Sequence, residues 1–388
     1  MKQIFRIASI LALGALAVTA TNGMANAKDK VTVGYIGPIT GKVSAHGIAG
    51  RNSADLAINL RNQDPNSKYE YELVALDDEC KPNIGIQVAT KMATDKHVSG
   101  AVTHFCSAVA TGAVRIYHQF HLPVVVWGAI SPSVTYGNDY KEIHRTIGTL
   151  TSQNKVAVDF LTGLGYKKYV VIYDTTDYGK GHLEAFANDL LATDGELLEA
   201  YGVAADQQDF TAELTKAKSL NPEVIYFAGL SDLGIRVRNQ MEKLGIEAQF
   251  AGVSGIISDT FIDGTTASEG SLAMRQGAPV EVMPGGPEFI KKYADADYKD
   301  PAEAYGVYAY AAMNVLLDAV EEAGPDRQAI TKALNTMPAK EYSIGMVEFD
   351  DHGQNVNSLV TPLVVQDGAW VTWDESEYAS GKRTLKGK

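Results

Sequence analysis

Short runs of β-branched and aliphatic residues, apolar on both faces, alternate with amphipathic helical stretches along nearly the whole chain. A strand that is apolar on both faces needs cover on both. Helices lying between successive strands supply it, so the pattern predicts α/β architecture with parallel sheets. Strands are expected at 31–36, 71–76, 100–105 and 123–127, with helices at 48–61, 84–94 and 108–119. The rhythm breaks at 148–153. It resumes with helices at 156–164, 182–192, 210–217 and 234–244 and strands at 169–173, 198–203, 224–227 and 248–253. Two such series imply two doubly wound lobes of similar build. The tail adds helices at 301–323 and 329–335, strands at 342–349 and 359–365 and a hairpin-like stretch at 370–373. These late elements must dock on lobes already begun, so each lobe is expected to be discontinuous, with the chain crossing between them at a natural hinge.

The first residues speak to compartment. Lys2 and Arg6 precede an almost unbroken apolar stretch, and Ala25-Asn26-Ala27 offers small residues where a signal peptidase reads. This is the pattern of a cleaved secretory signal over residues 1–27, and no Cys stands beside the small residues to suggest a lipid anchor. No later segment reaches about eighteen consecutive apolar residues, so the mature chain is expected to be soluble. Removing residues 1–27 from the 388 leaves 361, too many for one ordinary core. The removed segment holds two basic residues and no acid, which takes the formal charge from −13 to −15 and disfavours nucleic acid or anionic membrane as a partner. Cys80 and Cys106 are the two cysteines, and an even pair in an exported chain reads as one disulfide.

Patterns for catalysis fail on inspection. Gly37-Pro38-Ile39-Thr40-Gly41-Lys42-Val43 is one residue short of a phosphate loop and ends in Val, so no hydroxyl reaches a magnesium ion. Gly252-Val253-Ser254-Gly255 brings its second glycine one place too early for a nucleophile elbow. His118 and His121 lack a nearby carboxylate or Cys in sequence to complete a metal site, and Asp77-Asp78-Glu79 reads as a solvated loop rather than a calcium site. No catalytic residue, metal or cofactor is expected.

Better signals sit at the carboxyl ends of strands, where open α/β sheets hold ligands. Phe105-Cys106-Ser107 ends one strand and opens a helix, so Ser107 either donates to a ligand carboxylate beside the helix N-terminus or caps its own helix. Gly128-Ala129-Ile130-Ser131-Pro132 follows the next strand, and its glycine lets backbone approach a ligand. Asp177-Tyr178-Gly179 follows the strand at 169–173, and a tyrosine there can close over a solute.

Together these residues resemble the Leu/Ile/Val-binding protein family, the type I periplasmic binding proteins of branched-chain amino acid ABC importers. The resemblance runs through Val33-Gly34-Tyr35-Ile36-Gly37-Pro38-Ile39-Thr40-Gly41, Asp77-Asp78-Glu79-Cys80 (similar to "DDACDP") and His104-Phe105-Cys106-Ser107 (similar to "GHLCSS"). It continues through His144-Arg145-Thr146, Tyr173-Asp174, Asp177-Tyr178-Gly179-Lys180-Gly181, Asp209-Phe210-Thr211 and Val224-Ile225-Tyr226-Phe227-Ala228-Gly229, covering essentially the whole mature chain.

It implies two Rossmann-like lobes joined by a three-crossing hinge, residues 28–149 with 277–357 forming the N-terminal lobe and 150–276 with 358–388 the C-terminal lobe. It implies a disulfide between Cys80 and Cys106, a periplasmic location, and membrane permease subunits of an ABC transporter as partners. Ser107 matches the residue whose hydroxyl holds the ligand carboxylate, and Ala129 the one whose carbonyl receives the ammonium. Tyr178 and Tyr305 match aromatics near the ligand, and His46 falls where an aromatic often stands at the pocket rim. Departures fall in the same pocket: Ile130 replaces a Thr, Leu230 a Tyr, Ser254 the Glu that pairs with the ammonium, and Leu150 an Asp near the hinge. A buried ammonium without a charged partner costs several kcal/mol. Either another acid such as Asp232 or Asp177 takes over, or the ligand is an ammonium-free carboxylate, a keto or aromatic acid. A ligand-sensing module with a separate membrane partner is the reading of a different class.

Overall fold

The computed structural model describes residues 28–387, so the expected signal segment at 1–27 lies outside the described residues. The strands are β1 (Asp29–Gly37), β2 (Tyr69–Asp77), β3 (Val98–Thr103), β4 (Val124–Val126), β5 (Ile143–Arg145), β6 (Lys168–Asp174), β7 (Glu196–Val203), β8 (Val224–Ala228), β9 (Gln249–Gly252), β10 (Leu272–Gln276), β11 (Lys340–Tyr342), β12 (Gly345–Val347), β13 (Val360–Gln366) and β14 (Ala369–Thr372). The first five form one parallel sheet in the order β2-β1-β3-β4-β5. A seven-stranded sheet runs β14-β13-β10-β9-β8-β6-β7, parallel except that β13 and β14 are antiparallel to their neighbours.

Burial explains the composition of each strand. Central β3, β8 and β10 are buried at every position, whereas edge strands β2, β7 and β14 keep exposed or half-buried positions. A strand sandwiched between helix layers has no solvent face to alternate against.

The helices are α1 (Ser44–Gln63), α2 (Pro82–Thr94), α3 (Ser107–Gln119), α4 (Leu150–Gly163), α5 (Asp177–Leu190), α6 (Thr211–Ser219), α7 (Ser231–Lys243), α8 (Asp259–Gly264), α9 (Gly286–Asp295), α10 (Gly306–Ala323) and α11 (Arg327–Thr336). Long α10 packs on α1 and across β3 and β4, and α11 also meets β3, so late chain completes the first sheet's cover.

The chain leaves the first sheet after β5, comes back after β10 and returns to the second sheet at β13. These passages touch one another: Gln276 donates to the Thr149 carbonyl at 2.8 Å and the Gly277 N–H to the Leu359 carbonyl at 2.7 Å.

Several expectations are corrected. The stretch 301–323 is helical only from Gly306, because Glu303 has φ +50°, outside the right-handed helical region. The expected strand at 342–349 is the tight hairpin β11–β12, whose turn closes on Gly345 at φ +100°, a conformation few side chains tolerate. The strand at 100–105 stops at Thr103 since His104 has φ +54°. Strands β5 and β10 and helices α8 and α9 are not expected from the sequence pattern.

Candidate functional site

The turn that opens α3 is built by a buried polar chain. Asp78 accepts from the Cys80 N–H at 2.9 Å through one oxygen and meets His104 Nδ1 at 2.9 Å through the other. His104 Nε2 in turn lies 2.6 Å from the Tyr117 hydroxyl, and the Cys80–Cys106 disulfide closes the turn with a Cα separation of 5.6 Å. Asp78 is therefore fully buried, not part of a solvated loop. Its neighbour Asp77 accepts from the Ile39 and Glu79 N–H groups, both at 2.9 Å.

Ser107 is the first residue of α3, 2 % exposed, and its hydroxyl does not cap that helix. Its Oγ accepts from the Ile130 and Ser131 N–H groups, both at 3.2 Å. A hydroxyl has two acceptor lone pairs and one proton, so both lone pairs are engaged and the proton remains to be donated.

The same loop is held from its other side by Arg145. This guanidinium is fully buried and donates to the carbonyls of Ala129 (3.1 Å) and Ser131 (2.6 Å), to Gln354 Oε1 (2.6 Å) and to the Thr135 hydroxyl (2.8 Å). No carboxylate stands among these partners. Burial pulls its pKa down to about 9, which leaves it charged at neutral pH. Asp350 acts on this cation only through space, so part of its positive potential persists in low-dielectric surroundings and favours an anion at Ser107. Arg145 was legible only as part of a motif, and a buried lone Arg carries no sequence signal.

Aromatic rings line the same side. His46, in the first turn of α1, stacks on Phe105 with centroids 4.8 Å apart, and Tyr305 meets His46 and Phe105 edge-on at 5.6 and 5.5 Å. His46 is 4 % exposed; burial pushes its pKa down to about 4, so the ring is neutral, and its Nδ1 has no partner. Phe105, which no sequence pattern singles out as a ring partner, completes this aromatic cluster.

The second sheet contributes Tyr178 from the first turn of α5, Leu230 as N-cap of α7, and Ser254 in a single 3-10 turn after β9. The Tyr178 hydroxyl accepts from the Gly255 N–H at 3.1 Å, and the Tyr305 hydroxyl donates to the Ser254 carbonyl at 3.1 Å. Ser254 Oγ lies 3.5 Å from Gln153 Oε1, so the position faces neutral groups. Ile130 accepts from the Leu150 N–H at 2.8 Å through its carbonyl, which ties the loop to the start of α4.

The acids expected to answer an ammonium are differently employed. Asp232 pairs with Lys42 at 3.0 Å and Arg236 at 2.8 Å, the Lys42 contact spanning the two sheets' domains. Asp177 is exposed. Asp174 is buried and accepts from the N–H and hydroxyl of Thr176; burial raises its pKa. The His118–His121 pair does meet a carboxylate, contrary to expectation: Glu142 receives their Nδ1 atoms at 2.9 and 3.0 Å. No group that could hold a metal ion occurs among the described residues.

Comparison with known proteins agrees with this architecture. The family described as "Periplasmic binding protein" matches residues 30–369. A leucine-, isoleucine-, valine-, threonine- and alanine-binding protein of Pseudomonas aeruginosa is 30% identical over 91% of this chain and 94% of its own length. A Leu/Ile/Val-binding protein homolog 1 of Brucella suis is 31% identical over 87% of this chain and 90% of its own. Among solved structures, a leucine-binding protein LivK from Thermotoga maritima superposes with a TM-score of 0.80 at 25% identity, covering 88% of this chain and 97% of that one. The chain belongs to the periplasmic binding protein family.

Proposed function

We propose that this protein is the substrate-binding component of an ABC importer. It takes a small amino acid of the branched-chain class, or a close relative, into the cleft between the two sheets and delivers it to membrane permease subunits. In this reading the lobes comprise 28–149 with 277–357 and 150–276 with 358–388, and residues 1–27 direct export to the periplasm before removal. The observation that carries the proposal is the state of Ser107. Its oxygen accepts two backbone N–H groups, so its proton is free for a carboxylate. That carboxylate lies at the N-terminus of α3, where helix amides and the dipole favour negative charge. Buried Arg145 adds to the same field. His46, Phe105, Tyr178 and Tyr305 then surround the rest of the ligand, with Leu230, Ile130 and Ser254 completing the wall. The names of the Pseudomonas and Brucella relatives point to the same ligand class.

A second reading, an ammonium-free carboxylate, draws on one observation. The Ala129 carbonyl expected to accept from an ammonium already accepts from Arg145, and Asp232 is held by Lys42 and Arg236. Thermal-shift measurement against leucine, isoleucine, valine, alanine and threonine beside their keto acids separates the two. Ligand at about 100 times its dissociation constant adds about 2.7 kcal/mol of stability. Shifts with amino acids support the first reading; shifts confined to keto acids replace it with the second.

A further inference from the structure

We infer that the end of the seven-stranded sheet remote from the cleft carries a second binding site, which takes a small monocarboxylate with a short apolar tail. The cleft residues sit at the carboxyl ends of the strands. Gln249 and Ser271, in contrast, mark the amino ends of β9 and β10, and beside them lies a cavity of about 260 Å³.

Arg238 of α7 lines it, only 3 % exposed. Among the described residues its guanidinium meets a single carboxylate oxygen, Glu242 Oε2 at 3.4 Å, and its Nε is buried with no partner. Ser271, 1 % exposed, also lines the cavity and has a hydroxyl without a partner. A buried cation held by one long contact and a buried idle hydroxyl are each costly, and one carboxylate between them would satisfy both.

The charge inventory sets the ligand's valence. Lys386 lies 3.5 Å from Glu242 and 3.8 Å from exposed Glu247. Glu269 is held by Arg383 at 2.7 Å and by the Tyr378 hydroxyl at 2.8 Å. Arg238 and Lys386 thus share Glu242, while Arg383 divides itself among Glu269, Asp367 and Glu377, so acids already match or outnumber cations around the cavity and a ligand of one negative charge fits better than one of two. Phe250 and Leu385, both buried, give the remaining wall an apolar character suited to a short alkyl tail.

The test uses the full chain carrying Ser107→Ala, so that cleft binding of a carboxylate does not compete. Sodium butyrate is titrated in a thermal-shift assay against butylammonium chloride and sodium chloride at equal ionic strength. The site predicts a saturable rise in melting temperature with butyrate alone, lost on adding Arg238→Gln. Glu242→Gln, a change at a half-exposed side chain, should tighten the butyrate midpoint several-fold by removing the competing acid. A butyrate effect no larger than that of sodium chloride overturns the proposal. So does an effect that survives Arg238→Gln or, should that variant not fold, a midpoint unmoved by Glu242→Gln. These outcomes are independent of whether the cleft takes amino acids.

Discussion

The Ser254–Gly255 peptide unit is gripped at both ends by phenols: Tyr305 donates to the Ser254 carbonyl and Tyr178 accepts from the Gly255 N–H, each at 3.1 Å. Tyr178 belongs to the same sheet's helices as the peptide, whereas Tyr305 precedes α10, which covers the other sheet. The Tyr305 bond is therefore a direct tie between the elements of the two sheets. Tyr305→Phe removes the tie and leaves the ring. Small-angle scattering of the ligand-free protein should show a larger radius of gyration for the variant; an unchanged radius would mean that the tie does not hold the lobes together.

Ser107→Ala removes a donor from the ligand and an acceptor from two backbone amides. Carboxylate affinity should fall by roughly the 1.5–3 kcal/mol of a charge-assisted hydrogen bond. Stability should also drop by about 1–3 kcal/mol, because the Ile130 and Ser131 N–H groups lose their partner. Titration calorimetry and urea unfolding read the two losses separately, and an unchanged affinity would remove Ser107 from the site.

Asp232 is a cross-cleft pairing residue in this structure. Exposed pairs contribute about 0–1 kcal/mol, so Asp232→Asn should change ligand affinity by less than about fivefold. A loss of about a hundredfold would mean that Asp232 answers an ammonium after all.

Reduction of Cys80–Cys106, separated by 26 residues, frees the turn that leads into Ser107. Chain entropy for a loop of this size corresponds to about 3–4 kcal/mol. Urea midpoints with and without reductant should differ accordingly, and identical midpoints would show that the turn is held by the Asp78–His104–Tyr117 chain alone.

Three buried histidines set a pH dependence. Burial lowers the pKa of His46 and His144 to about 4 and that of His182 to about 3, all from 6.5. Each binds a proton on unfolding at pH values between those limits, so their contribution is complete above about pH 6.5 and is lost as pH falls toward 4. Each adds about 1.4 kcal/mol per pH unit within the window, with Asp174, raised by burial, opposing in part. His182→Gln should reduce the slope of unfolding free energy against pH between 6 and 4.5 by about a third; an unaltered slope contradicts the assignment.

The parallel sheets and most of their helices were legible because strands covered on both faces must be apolar throughout, as β8 and β10 are. Three-residue β4 and β5 strain that signal, and β5 carries His144 and Arg145, which read as polar though both are fully buried. Motifs along the chain single out Ser107, Tyr178 and Tyr305, and the structure gives each of them a defined hydrogen-bond partner. The arrangement was not legible where it depends on long-range pairing: nothing local announces that Arg145 reaches Gln354 or that Lys42 reaches Asp232. The same reason hid Glu142 from the His118–His121 pair, since the carboxylate arrives from a different element.

Ser107 is the residue through which the proposed cleft site recognises a carboxylate. Titration calorimetry with leucine, isoleucine and valine, each beside the amine that lacks its carboxylate, tests it most directly. Saturable heat is expected with at least one of the acids, none with its amine, and marked weakening of that acid in Ser107→Ala. Equal binding of acid and amine, or an affinity indifferent to Ser107, would contradict it.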